Sequence, residues 1–230
     1  MPGSQGAPLP RQSPPALLEP PGLVPMDNPG LTPLAQAEAQ GEVHLLRQAQ
    51  DLGFPVGRTW VVGLWEEFAR LNNLAERIGW LFQGVFGARI DEERLLLAAE
   101  EAKRAVRESY LLPERAEAFL EALEGKGPFL LRQAGEGAYL LARTPREALF
   151  ALKRLWAEAF GVEAILERYP ALFPPALPVL VQEVATLPPL EGGLLEDPFL
   201  SLDLSQALGQ RVVAYTWEEA LLRIESVHGG

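Results

Sequence analysis

Apolar residues recur along this chain with two different periods, and the switches between them mark out its elements. The clearest stretch is Gly127 to Val184, where two short apolar runs, Phe129–Leu131 and Tyr139–Ala142, flank a glycine-containing turn. Thr144-Pro145 supplies an N-cap and first-turn proline for a long amphipathic helix that reaches Phe160. A helical turn ending at Tyr169 follows, then a third apolar run, Val179–Val184. Hairpin, helix and strand predict a compact α+β unit with enough apolar residues for a core.

Upstream, Pro33 to Leu52 reads as helix, with Leu34, Ala37, Val43, Leu45, Leu46 and Ala49 on or near one face. Gly53 stops it, and Thr59–Val62 reads as a strand. Helices are expected over Leu64–Leu71 and Leu74–Phe86, broken at Asn72-Asn73, with Trp60, Trp65 and Trp80 as core anchors. The strongest helical pattern runs from Asp91, its cap, to Ser109, with Leu95, Leu96, Ala99, Ala102 and Val106 along one face. Pro113 opens another helix, to Leu123. Downstream, Leu190–Leu195 is expected to pair with Val179–Val184, and Gln210–Tyr215 to form a further strand. Thr216 is then expected to cap a short final helix, Trp217–Ile224. The fold class is α+β, a small antiparallel sheet packed with several helices.

The first 32 residues break the pattern. Pro8, Pro10, Pro14, Pro15, Pro20, Pro21, Pro25 and Pro29 remove backbone donors and fix φ, which bars a helix interior or a central strand. Composition reads as an extended or disordered arm. A sharper reading makes it a docking arm, with Leu17, Leu18, Leu23 and Val24 as protein-binding contacts. The expected organisation is therefore an arm over 1–32, an α+β domain over 33–198 and a strand–helix extension over 199–230.

Charge and composition narrow the chemistry. The formal net charge of −11 lacks the basic stripe that a nucleic-acid binder needs, and it suits anionic membranes poorly. There is no cysteine, and His44 and His228 are the two histidines, so thiolate, disulfide and His-rich metal chemistry are not expected. No apolar run has membrane-spanning length, and the first residues lack the basic-then-apolar pattern of a secretory signal. A cytoplasmic protein is expected. The Arg, Leu, Ala, Glu and Pro excess suits a thermophile-like composition.

Four segments, taken in order, resemble the N-terminal ATP-binding domain of the phosphoenolpyruvate synthase and pyruvate phosphate dikinase family, an ATP-grasp type fold. Gly41 to Val62 (GEVHLLRQAQDLGFPVGRTWVV) is similar to the family's opening Gly-Gly-Lys-Ala, helix and strand. Tyr139 to Phe160 (YLLARTPREALFALKRLWAEAF) looks like the strand, turn and Trp-containing helix after its ATP loop. Leu177 to Val184 (LPVLVQEV) resembles the strand leading to the adenine hinge, and Gly192 to Pro198 (GGLLEDP) a later strand end. From Gly41 to Pro198 they span roughly two thirds of the chain. The resemblance implies the first lobe of an ATP-grasp domain, with Arg132, Gln182 and Val184 as remnants of its nucleotide site.

The departures fall where the chemistry belongs. Glu42 stands at the position of the family's phosphate-binding lysine, where it repels phosphate. Arg132 survives from the family's Arg-Ser-Ser-Ala-Thr loop, but Gln133-Ala134-Gly135-Glu136-Gly137 reads as a tight turn in the loop's place. The family's second lobe with its Mg²⁺ carboxylates is expected to be missing. Arg132 can hold an anion or pair with a carboxylate, and the structural role is preferred. Gln182, Glu183 and Val184 read as the end of an ordinary strand, Asp197 as a turn former before Pro198, and Glu191, Glu196 and Asp197 as a solvated cluster. No catalytic residue, metal or cofactor is expected. The resulting expectation is a pseudoenzyme: a non-catalytic interaction or regulatory protein whose partner is another protein or a second copy. The alternative is one lobe of a split phosphotransferase, or a nucleotide sensor, completed by a partner chain.

Overall fold

In a computed structural model of the chain, residues 30–190 and 192–228 are described. Its centre is an antiparallel sheet of β1 (Leu31–Pro33), β2 (Thr59–Val62), β3 (Phe129–Gln133), β4 (Tyr139–Ala142) and β5 (Val179–Glu183). The strand order is β1-β2-β5-β3-β4, so β5 sits between β2 and β3 and is paired on both sides. Side chains alternate across a strand. Phe129, Leu131, Val179 and Val181 join the larger core on one face. Leu130, Arg132, Leu180 and Gln182 occupy the other face and are just as deeply buried. A strand covered on both sides reads as a continuous apolar run rather than an alternating one, which is why β3 and β5 stand out in the sequence.

The first face carries α2 (Trp65–Leu71), α3 (Leu74–Leu81), α4 (Glu92–Glu108), α5 (Pro113–Leu123), α6 (Pro145–Glu158) and α7 (Val162–Arg168). Two of these start as their sequences predict. Asp91 accepts from the Arg94 N–H before α4, and Thr144 accepts from the Glu147 N–H before α6. The layer is knit by aromatic rings: Trp65 lies 5.7 Å from Trp156 and 5.4 Å from Phe173, and Phe68 lies 4.8 Å from Trp156.

The second face is covered by α1 (Gly41–Asp51), α8 (Pro198–Leu208) and a small sheet of β6 (Leu195–Glu196), β7 (Val212–Trp217) and β8 (Ala220–Ser226). Leu46, Leu180, Leu204, Ala214, Leu221 and Ile224 form its apolar core. The molecule is thus layered: helices, central sheet, then a layer that mixes helices with the second sheet.

The α+β class stands, and five expectations need correction. The helix expected from Pro33 starts only at Gly41, because Leu31–Pro33 pairs with β2 as an edge strand, where proline's missing N–H costs nothing. Leu31 and Thr32 therefore belong to the sheet rather than to the arm, while Leu17, Leu18, Leu23 and Val24 lie outside the described residues. Trp80 and Leu96 are 64% and 58% exposed, each turned off the buried stripe of its helix (Leu74 and Ile78 in α3; Leu95, Ala99 and Ala102 in α4). Leu190–Leu195 does not pair with β5, whose two edges are already taken; Leu195 and Glu196 pair with β7 instead. Finally, Trp217–Ile224 is not a helix. Glu218 and Glu219 adopt left-handed φ of 48° and 69°, which turns the chain back as a two-residue hairpin between β7 and β8.

Candidate functional site

Arg132, Gln182 and Val184 come together on the second face of the central sheet. In the β3–β5 register Arg132 lies opposite Leu180, and Leu130 lies opposite Gln182. Val184 follows β5, donates its N–H to the Pro128 carbonyl at 3.0 Å, and packs with Leu130 and Leu222. Gln182 and Arg132 are both 0% exposed.

A guanidinium removed from water needs a counter-charge and partners for its donors. Glu42, in the first turn of α1, supplies the charge. Its Oε1 accepts from Arg132 Nη1 at 2.5 Å and its Oε2 from Nη2 at 2.7 Å, a bidentate pair with side chains 0% and 3% exposed. The same carboxylate accepts from the Gly135 N–H at 2.9 Å and the Ile224 N–H at 3.0 Å. Arg132 spends its remaining terminal protons on backbone: Nη1 donates to the Glu136 carbonyl and Nη2 to the Leu222 carbonyl, each at 3.0 Å. Gln182 Nε2 donates to that same Leu222 carbonyl at 2.8 Å and to the Thr59 hydroxyl at 3.2 Å. Two atoms of this nest, Arg132 Nε and Gln182 Oε1, are buried without a hydrogen-bond partner.

The C-terminal hairpin closes the nest. Leu222 and Ile224 sit on β8, and the neighbouring Leu221 exchanges backbone bonds with the segment before β2: it donates to the Pro55 carbonyl at 2.8 Å and accepts from Gly57 N–H at 2.9 Å. The hairpin turn is held as well, since Thr186 Oγ donates to Glu218 and Trp217 Nε1 donates to the Thr186 carbonyl. The outer edge of β8 is therefore used rather than left open.

No protein-family model matches the chain, and no curated protein matches it in sequence.

The other candidates are scattered. Asp197 caps α8, its Oδ1 accepting from the Leu200 N–H at 3.0 Å. Glu196 is exposed on β6, Glu191 lies outside the described residues, and His44 and His228 are exposed. Among the described residues no helix is long and apolar enough to cross a membrane. A cleft of about 690 Å³ opens elsewhere, beside β1, between Val61, Trp65, Glu66 and Leu177, and none of Arg132, Gln182 and Val184 lines it.

Two features escape a reading of the sequence. Glu42 is recognised there only as the residue in the lysine's place, not as the partner of Arg132. One signal does point to it: Glu42 falls in phase with Leu45, Leu46 and Ala49, so it rides on the buried stripe of α1. The roles of Leu222 and Ile224 are hidden by the hairpin turn, because Glu-Glu is not among the residue pairs that announce a left-handed two-residue loop.

Proposed function

We propose that this protein is a non-catalytic interaction or regulatory protein, built on a lobe like that of the phosphoenolpyruvate synthase family whose phosphate-binding position has become an internal ion pair. One observation carries the reading: all four terminal guanidinium protons of Arg132 are already bound, by Glu42, the Glu136 carbonyl and the Leu222 carbonyl. Phosphoryl transfer relies on cations free to neutralise spreading negative charge. Here an incoming phosphate must separate a desolvated charge pair and displace the C-terminal hairpin, and the carboxylate it uncovers repels it.

In this reading the molecule works by contact. Its partner is another protein or a second copy, consistent with a net charge of −11 that disfavours nucleic acid and anionic lipid. The arm residues Leu17, Leu18, Leu23 and Val24 remain its proposed contacts. On the described surface, Leu195, Phe199 and Leu202 are 60%, 83% and 58% exposed around α8. Calorimetry with ATP, ADP and AMP, with and without Mg²⁺, tests the proposal. No binding heat at millimolar nucleotide is expected. Micromolar affinity overturns it in favour of a nucleotide sensor or a split phosphotransferase lobe.

A further inference from the structure

Helix α6 turns Arg146, Phe150 and Arg154 to water, and their spacing of four residues stacks them along one side of the helix. Phe150 is 58% exposed. Neither arginine makes an ion pair among the described residues. On the flank of this stripe, Lys153 Nζ lies 6.0 Å from the exposed Tyr110 ring. From Arg143 to Arg154 the sequence holds four cations against one carboxylate, Glu147, which is engaged by the Arg143 N–H at 2.6 Å. In a chain of net charge −11 this is a local basic and aromatic patch.

Helix α8 carries its opposite. Phe199, Leu202 and Asp203 share an exposed face there, and Leu195 and Glu196 are exposed on β6 just before it. No Lys or Arg occurs from Tyr169 to Gln210, and neither Glu196 nor Asp203 makes an ion pair among the described residues. The two patches therefore match in apolar character and oppose in charge. They cannot meet within one molecule, because α6 packs on the first face of the central sheet and α8 on the second. Like patches repel: α6 on α6 sets arginine against arginine, and α8 on α8 sets carboxylate against carboxylate.

We propose that the α6 patch of one copy takes the α8 patch of a second copy, so that this chain associates head to tail. Arg146 and Arg154 are about 12 Å apart along α6 at ~1.5 Å per residue, roughly the width of one helix. An α8 laid across α6 thus sits over Phe150 with an arginine on either side. Phe199 offers those guanidiniums a ring face, and Asp203 and Glu196 offer them carboxylates. Such a contact leaves a free patch at each end, so association continues beyond two chains unless its rotation closes a ring. With few large side chains on each side the contact falls below the ~800 Å² per partner of a standard interface, and it is correspondingly weak. The proposal names the partner in the interaction reading above and rests on that reading for its role.

Sedimentation of the full chain from micromolar to millimolar concentration tests it. The mean mass is expected to rise past that of two chains. Arg146→Glu with Arg154→Glu breaks one patch, and Phe199→Ser with Asp203→Lys breaks the other. Each double variant alone is expected to associate at least ten-fold more weakly than the parent. Their equimolar mixture is expected to form a two-chain species and nothing larger, since each variant brings the patch that the other lacks. That recovery also shows that both variants are folded. A parent that stays monomeric overturns the proposal. So does association that persists in either variant, or a mixture of variants with parental near-ultraviolet circular dichroism that does not pair. Nucleotide calorimetry reads the functional proposal separately: a monomer that binds no nucleotide fails here and not there.

Discussion

The two faces of the central sheet are buried equally deeply, but the second has a charge network set into its apolar cover. Under the helical layer, Trp156, Phe160, Phe129 and Leu131 are fully covered, and what holds them is contact area between rings and aliphatic chains. Under the hairpin, the centre of the interface is a carboxylate, a guanidinium, an amide and a hydroxyl joined by directed bonds. Area is forgiving of shape, since core swaps that conserve volume are tolerated. A buried charge network is unforgiving, because removing one member strands the others in low dielectric. The polar face also joins the most distant parts of the chain: Glu42 and Arg132 are 90 residues apart, and Glu42 and Ile224 are 182 apart. The apolar face thus supplies bulk cohesion, and the polar face decides which elements meet.

The sharpest way to break that contrast is Glu42→Gln. The change is nearly isosteric, yet it leaves Arg132 charged and buried, and a loss of about 3–5 kcal/mol is expected from urea unfolding. Glu42→Lys sets a second cation against Arg132 and is expected to yield no cooperatively folded chain. On the opposite face, Leu131→Met also conserves volume, and its expected cost is below about 1.5 kcal/mol in the same assay. Equal losses for Glu42→Gln and Leu131→Met would erase the distinction between the faces.

Gln182→Met refines it further. Leu222 keeps its bond from Arg132, and Gln182 Oε1 has no partner to lose, so the thioether removes the two bonds to Leu222 and Thr59 and one stranded acceptor together. The expected cost is about 1 kcal/mol. A loss as large as that of Glu42→Gln would mean that the amide, rather than the ion pair, secures the hairpin.

The same contrast explains what could be read from the residues. On the apolar face, local rules suffice: Thr144-Pro145 starts α6, Asp91 starts α4, and the runs Phe129–Leu131 and Val179–Val184 are strands near the expected bounds. The polar face depends on encounters between remote positions, and local pattern is silent about those. Arg132 is conspicuous inside an apolar strand, but nothing near it in sequence names Glu42. Helix α8 escapes altogether, because Leu200, Leu202, Leu204 and Leu208 recur at even spacing, closer to a strand's period than to a helix's. Leu202 and Phe199 then stay exposed although the segment is helical. Glu218 and Glu219 mislead in the same way, as good helix formers placed where the chain needs left-handed φ.

The smallest expected effect lies at the outer side of the second sheet, where polar groups face water. Tyr215 donates its hydroxyl proton to Glu225 Oε2 at 2.9 Å across β7 and β8. That hydrogen bond, with burial and the charge of Glu225 behind it, holds the phenol above its usual 10.0, while Arg223 pulls the other way. The folded value therefore exceeds the unfolded one, so the stabilisation is complete below about pH 10 and is lost as pH climbs through the folded value. Because the side chain is largely solvated, screening leaves it at roughly 0.5 kcal/mol or less. Tyr215→Phe is expected to be slightly less stable than the parent at neutral pH and to converge with it in alkali, followed by urea midpoints and phenolate absorbance. A constant offset at every pH would show that the bond to Glu225 does not couple the ionisation of the hydroxyl to folding. A directed bond would then matter in this molecule only where water is excluded, which is the condition met at Arg132 and Glu42.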